Sequence, residues 1–404
     1  MKQKLLLVDG SSLAFRAFYS ILDLNRFKNQ NGLHTNALYS FHRMFKTILE
    51  QENPTHVLVA WDAGKTTFRT EMYAEYKGGR AKTPSEFKEQ MPYFNVLLDA
   101  WGIPHYRLNQ YEADDIIGTL AHQASKEGFE VVVLSGDKDL IQLATPEITV
   151  KITTKGVSEL VEYTPAFINE KYGLTPEQII DMKGLMGDSS DNYPGVTKVG
   201  EKTAIKLLQE YGSVEGIYEH VEEMKKSKLK DNLIQDKELA FLSKTLARID
   251  INSPLEITVA DTLRKEENVE ELIAFYKEMS FQSFQKDLLN KKGGQVVQEE
   301  SNDSPNVQWI DTISEKELQD ATTVHFESFE NNYHIAQVLA VAFGTEKQVY
   351  VTSIESAVQS EAFKQWLADE TIEKTMFDTK AMKVFANRFG LTVAGAKYDV
   401  SLLA

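Results

Sequence analysis

"VVVLSGDKDLIQ", residues 131–142, opens as a buried strand and closes on two aspartates. Val131 to Leu134 is an unbroken apolar run, the kind that a parallel sheet covers on both faces. Asp137 and Asp139 stand two residues apart at the strand end, a spacing that sends both toward one cleft. Two further runs repeat the pattern: "KLLLVD" (4–9) ends in Asp9 and "THVLVAWD" (55–62) ends in Asp62. Helical spacing lies between them. "ALYSFHRMFKTILEQE" has apolar residues at 38, 41, 44, 45, 48 and 49, and "SEFKEQMPYFNVLLDAWG" reads as a helix kinked before Pro92 and stopped at Gly102. This alternation predicts an α/β fold, a mostly parallel central sheet flanked by helices.

In such sheets the ligand site lies beyond the carboxyl ends of the strands. One strand-terminal Asp is most simply a turn residue. Three on one edge mark a site. "YEADDIIG" adds Glu112, Asp114 and Asp115 at a helix start, with Asp115 on the same face as Glu112. A charged first turn is the plainer reading there, but these acids run directly into apolar residues. "LMGDSSDNYPGV" adds Asp188 and Asp191, which alone would read as an Asx-rich loop. The nine carboxylates are Asp9, Asp62, Glu112, Asp114, Asp115, Asp137, Asp139, Asp188 and Asp191. Like charges gathered this closely need a counter-charge. Oxygen donors without Cys or His imply a hard cation, Mg²⁺ with Mn²⁺ able to substitute, and no EF-hand loop favours Ca²⁺. Nine acids exceed the needs of one ion. Two ions about 4 Å apart suit phosphodiester hydrolysis, with no protein nucleophile required.

The 404 residues suggest two or three domains, and a hydrophobic content of 42% is enough for real cores. No apolar run could span a membrane, and the absence of cysteine fits a reducing, cytoplasmic setting. The net charge of −16 argues against nucleic acid at first sight. Its distribution argues otherwise. Residues 1–290 hold 43 acids and 34 bases, and nine of those acids belong to the cluster, so the remaining charges balance.

Two segments suit DNA. "NYPGVTKVGEKTAIKLLQEYGSVEGIY" (192–218) matches a helix-hairpin-helix. Gly195 and Gly200 flank its turn, where backbone N–H groups can approach phosphate, and Lys198 and Lys202 add charge. A simple glycine-bounded turn is the alternative. "TTFRTEMYAEYKGGRAKTPSEF" (66–87) interleaves Arg69, Lys77 and Arg80 with Phe68, Tyr73 and Tyr76, a mixture that suits single-stranded DNA, although a solvated loop explains it as well.

Taken in order, "LLLVDGSSLAFRAFY", "WDAGKTTFR", "YKGGRAKTP", "YEADDIIG", "LSGDKDL" and "GLMGDSSDNYPGVTKVGEKTA" resemble the 5′-nuclease family found in bacterial DNA polymerase I, over about residues 1–290. The resemblance implies a PIN-like 5′-nuclease and a structure-specific 5′→3′ exonuclease and 5′-flap endonuclease. Its substrates would be DNA with a 5′ flap, a nick or an RNA primer. It implies that all nine carboxylates are metal ligands and that Asp115, Lys77 and Arg80 are catalytic, with the two basic residues on the scissile phosphate. Arg69, Tyr76, Lys77 and Arg80 would bind the 5′ strand in a helical arch over about 66–90. Gly195, Lys198, Gly200 and Lys202 would grip duplex DNA, with K⁺ at the hairpin. The expected organisation is a nuclease α/β domain over 1–170, a helical domain with the hairpin over 171–290 and a linker over 291–306. A partial RNase H-like exonuclease domain would follow over 307–404. The protein is expected to be a cytoplasmic monomer.

The last domain departs from the active pattern. "FESFE" (326–330) has Phe326 or Glu327 where Asp is expected, and a second acid is replaced by Met382. No 3′→5′ activity is therefore expected. The chain stops before any polymerase domain, so none is expected to act. A catalytically silent DNA-structure-binding protein is the main alternative. An RNA nuclease of the same architecture and a small-molecule phosphohydrolase rank below it, since a small substrate leaves the hairpin without a purpose.

Overall fold

Leu5, Leu6, Leu7 and Val8 are all fully buried, as a strand allows only when both faces of its sheet are covered. They lie in a computed structural model that describes residues 3–21, 23–64, 66–79, 82–155, 159–291, 305–328 and 333–402. The chain divides into two compact units, Met1–Gly294 and Gln295–Ala404.

The first unit has six strands: β1 (Lys4–Asp9), β2 (His56–Ala60), β3 (His105–Tyr106), β4 (Glu130–Ser135), β5 (Ile148–Lys155) and β6 (Glu159–Tyr163). Their order is β3-β2-β1-β4-β5-β6. All neighbours are parallel except the β5–β6 pair. The three predicted strands are the three central ones. The sequence reading missed the flanks. "ITVKITTK" alternates lysine and threonine with apolar residues, so it lacks the continuous run of a doubly covered strand. β6, "ELVEY", is a short edge strand that ends just before the helix starting at Pro165.

Helices α1 (Gly10–Ser20), α2 (Asn36–Glu52), α3 (Phe68–Met72), α4 (Ser85–Lys88), α5 (Met91–Ala100) and α6 (Ala113–Lys126) accompany these strands. The helix expected to kink before Pro92 is divided into α4 and α5. Pro92 sits in the first turn of α5, where its missing N–H has no partner to lose, and Gly102 turns the chain at φ 67°. Separate apolar clusters cover the two faces of the sheet. The helical remainder comprises α7 (Pro165–Tyr172), α8 (Gln178–Met186), α9 (Glu201–Tyr211), α10 (Val214–His220), α11 (Lys228–Gln235), α12 (Lys237–Ala247), α13 (Val269–Glu278) and α14 (Gln282–Lys291).

The second unit holds β7 (Asn306–Trp309), β8 (Thr323–Ser328), β9 (Val338–Gly344), β10 (Gln348–Ser353), β11 (Lys374–Met376) and β12 (Ala396–Asp399), in the order β12-β11-β8-β9-β10-β7. β9 is antiparallel to both of its neighbours, and the core gathers around Phe326, Phe343, Phe363 and Trp366. Most of the expected linker, residues 292–304, lies outside the described residues. No described helix is long and apolar enough to cross a membrane.

One buried base ties α13 and α14 to α2 within the first unit. His42 on α2 stacks between Trp101 and Phe284, with ring centroids at 4.5 and 3.9 Å, and its Nε2 lies 2.7 Å from the Tyr276 hydroxyl. Its Nδ1 is buried without a partner. Burial lowers the pKa to about 3, so the folded ring stays neutral where the unfolded ring takes a proton. This stability is complete above the unfolded value of about 6.5 and is lost as pH falls below it. Between pH 7 and 5 the loss should be about 2 kcal/mol. Denaturant unfolding at both pH values should show a correspondingly smaller acid loss for His42→Phe. An unchanged pH dependence would refute this role.

Candidate active site

The strand register builds one carboxylate edge. Asp9 pairs with Ala60, and Val8 with Leu134, so β1, β2 and β4 end level. Asp62 and Asp137 each follow two residues after their strand ends. Asp9 caps α1 by accepting from Ser12 N at 2.9 Å, and its other oxygen accepts from the Ser135 hydroxyl at 2.7 Å. Asp62 accepts from Ala113 N at 3.0 Å, which brings the start of α6 and Asp114 to the same edge.

Five of the nine carboxylates have a basic partner among the described residues. Lys77 Nζ lies 2.6 Å from Glu112 and 3.8 Å from Asp191. Lys183 pairs with Asp139 at 2.5 Å and also with Asp188. Arg69 holds Asp115 and touches Glu112. The other four, Asp9, Asp62, Asp114 and Asp137, have no such partner among the described residues. Burial and the nearby Asp62 raise Asp9 to about 7. Burial, Asp9 and Asp137 raise Asp114 well above its ordinary value. Asp139 rises to about 7 through burial and Asp137, despite Lys183. Asp188 falls to about 2 because Lys183 and Ser190 outweigh its burial. As they stand, no three of these acids among the described residues are spaced to chelate an ion. The donor set nevertheless suits a hard cation, being oxygen only, buried or half-buried except for Asp62, and short of positive charge.

Three expected site residues are engaged within the protein in this structure. Asp115 is fully buried and accepts four hydrogen bonds, from Arg69 Nη1 and Nη2 at 2.7 and 2.8 Å, Glu112 N at 3.1 Å and Asp250 N at 2.9 Å. Its lone pairs are occupied in this structure, which ties the first turn of α6 to Arg69 and to the Asp250 backbone. Arg69, 2% exposed, also donates to the Leu246 and Arg248 carbonyls, which leaves nothing to offer DNA. Tyr76, 5% exposed, has its hydroxyl 3.2 Å from both Glu112 and Asp191, so it braces carboxylates and cannot stack on a base from where it sits. The sequence shows a basic-aromatic segment here but not its exposure. Lys77 does reach the carboxylates. Arg80 lies outside the described residues. Lys183 was missed: it stands five residues before Asp188, and only the turn after α8 brings the two together.

The hairpin between α8 and α9 uses its two glycines differently. Gly195 has φ 63°, and a Cβ there would lie 2.2 Å from Gly187 N. Its amide donates to the Ser243 hydroxyl at 3.0 Å, so it serves packing. Gly200 caps α9 with open space around it, and Lys198 and Lys202 are exposed. Asp236 and Asn232 fix the turn through the backbone of Thr197.

Residues 4–173 match the family described as "5′-3′ exonuclease, N-terminal resolvase-like domain", and residues 174–289 match "5′-3′ exonuclease, C-terminal SAM fold". The chain belongs to the 5′-3′ exonuclease family. Residues 324–404 match "DNA polymerase I, ribonuclease H-like domain". DNA polymerase I of Streptococcus pneumoniae is 50% identical over 402 residues, 99% of this chain and 45% of that protein. The Bacillus subtilis polymerase is 47% identical, covering 100% of this chain and 45% of its own length. The chain thus spans under half the length of these curated relatives. A structure of T5 5′-exonuclease with bound divalent metal ions (zinc) superposes with a TM-score of 0.51 at 25% identity, covering 71% of this chain and 99% of that one.

Within the ribonuclease H-like unit, Phe326 is buried and its amide lies 3.2 Å from Met382 Sδ. Both residues belong to the apolar core of this unit, and the contact between them is the Phe326 amide on the Met382 sulfur. Glu327 instead faces outward beside His325.

The Arg69–Asp115 pair yields a stability prediction. Arg69→Ala strands a buried carboxylate and should destabilise the first unit by about 3–5 kcal/mol in urea unfolding. Arg69→Lys should recover only part, because an ammonium cannot bridge both oxygens and two carbonyls. A loss below about 1 kcal/mol for Arg69→Ala would contradict the assignment.

Proposed function

We propose that residues 1–290 form a divalent-metal-dependent 5′→3′ exonuclease and 5′-flap endonuclease. The carrying observation is the set of four carboxylates, Asp9, Asp62, Asp114 and Asp137, crowded at one sheet edge without cationic partners. These four, with Glu112, Asp139, Asp188 and Asp191, would hold two Mg²⁺ ions, for which Mn²⁺ can substitute. Bound there, such ions supply a water of lowered pKa and stabilise charge on the scissile phosphate. The rest is work for the chain. Lys77 exchanges its carboxylate partners for the phosphate and orients it, with Arg80 as a second contact. Tyr76 holds Glu112 and Asp191 in place. Asp115, fixed by Arg69, keeps the first turn of α6 against the strands. Gly200, Lys198 and Lys202 grip the duplex backbone, with K⁺ at the hairpin, while a 5′ strand passes the arch over about 66–90.

The substrates are DNA with a 5′ flap, a nick or an RNA primer, and the protein acts as a cytoplasmic monomer. We assign nuclease chemistry to 1–170, duplex binding to 171–290 and a linker to 291–306. Residues 307–404 form a degenerate exonuclease-like domain. The buried Phe326–Met382 pair supports this last assignment, because neither side chain can ligate Mg²⁺.

A labelled 5′-flap duplex tests the reading. Cleavage should require Mg²⁺ and stop with EDTA. Asp9→Asn and Asp137→Asn should reduce it to background while Ca²⁺-supported binding persists. Binding without cleavage by the unaltered chain would favour the catalytically silent alternative. With a 3′-label, no shortening from the 3′ end should occur in Mg²⁺, and measurable shortening would overturn the assignment of the second unit.

A further inference from the structure

We propose that Lys183 is a built-in competitor for one of the two metal positions, so that the two ions load with unequal affinity and in a fixed order. The inference rests on the metal reading above. Asp139 and Asp188 have Lys183 as their one cationic partner among the described residues, and the ammonium lies between them. All three side chains are 13–14% exposed, so the triad is largely withdrawn from water. Asp139 Oδ1 is buried and has no well-oriented hydrogen bond, although Lys183 Nζ is 2.5 Å away. An ammonium donates along three fixed directions, whereas a metal ion accepts lone pairs from any side.

The neighbouring acids differ. Asp9, Asp62, Asp114 and Asp137 repel one another with no lysine between them. An ion entering there meets an excess of negative charge, offset only by the more distant Lys77 acting on Asp114. An ion bound by Asp139 and Asp188 must first displace Lys183 or accept a like charge within a few ångströms, and either outcome weakens it. Lys183 sits on α8 with a flexible four-carbon stem, so a rotamer change can move the charge while the helix stays in place. Without metal, the same lysine lets the folded chain tolerate Asp139 and Asp188. The arrangement predicts a first ion at the sheet edge and a second, weaker ion that expels Lys183.

Mn²⁺ binding to the full chain without DNA tests this, read by calorimetry and electron paramagnetic resonance. The unaltered protein should bind two ions of unequal affinity. Lys183→Met should tighten the weaker site at least about tenfold and leave the tighter site within about threefold. Its melting temperature should fall without metal and recover with Mn²⁺, whereas Lys183→Arg should keep the weak site weak. If Lys183→Met folds and its weak site is unchanged or weaker, the inference is wrong while the metal reading stands. If the unaltered protein binds no Mn²⁺, both fall. A measurement on the unaltered chain guards against a variant that does not fold. Acetylation of Lys183, followed by mass spectrometry, should increase only as the second ion saturates. A rate unaffected by Mn²⁺ would overturn the proposal.

Discussion

Repulsion among acids is the constraint around which the first unit is arranged. A parallel sheet whose central strands end level brings Asp9, Asp62 and Asp137 together, and α6 adds Glu112, Asp114 and Asp115. Burial makes each charge more costly, and each neighbour compounds it. Among the described residues the fold answers with three basic side chains from three segments: Arg69 on α3, Lys77 in the turn after it and Lys183 on α8. These neutralise part of the cluster and leave the sheet edge in deficit. A structure that only needed to be stable would have no reason to crowd four acids at one edge, one of them buried, without a cationic partner among the described residues.

The three cations do different work because their surroundings differ. Arg69 is locked by two carbonyls and a bidentate carboxylate, so its pair belongs to the framework. Lys77 and Lys183 are each held by carboxylates through one flexible stem and are free to change partners. Framework and site therefore meet within α6. Asp115 faces the framework and Asp114, its chain neighbour, faces the site.

Much of this was legible in the sequence. Continuous apolar runs ending in Asp identified β1, β2 and β4 and the edge they share. The acids of α6, of the β4 end and of the loop after α8 were all recognised as one group. What was not legible is pairing across the chain. Nothing local distinguishes Arg69 from Lys77 in a basic segment, and their opposite fates follow from burial set by residues 246–250. Lys183 reads as an ordinary helical lysine until the hairpin turn returns Asp188 to it. β5 was missed because alternation with lysine is weak evidence for a strand beside strongly apolar neighbours. In the second unit the missing acids were evident from sequence, but the direct contact of Phe326 with Met382 was not.

The account stands on the claim that a divalent cation completes the charge balance at the sheet edge. Anomalous diffraction from crystals soaked in Mn²⁺ measures this directly. The account predicts a strong peak bound by carboxylate oxygens of Asp114 and at least two of Asp9, Asp62 and Asp137, at roughly 2.0–2.3 Å. Peaks confined to the hairpin or the surface, with these four acids unliganded, would contradict it.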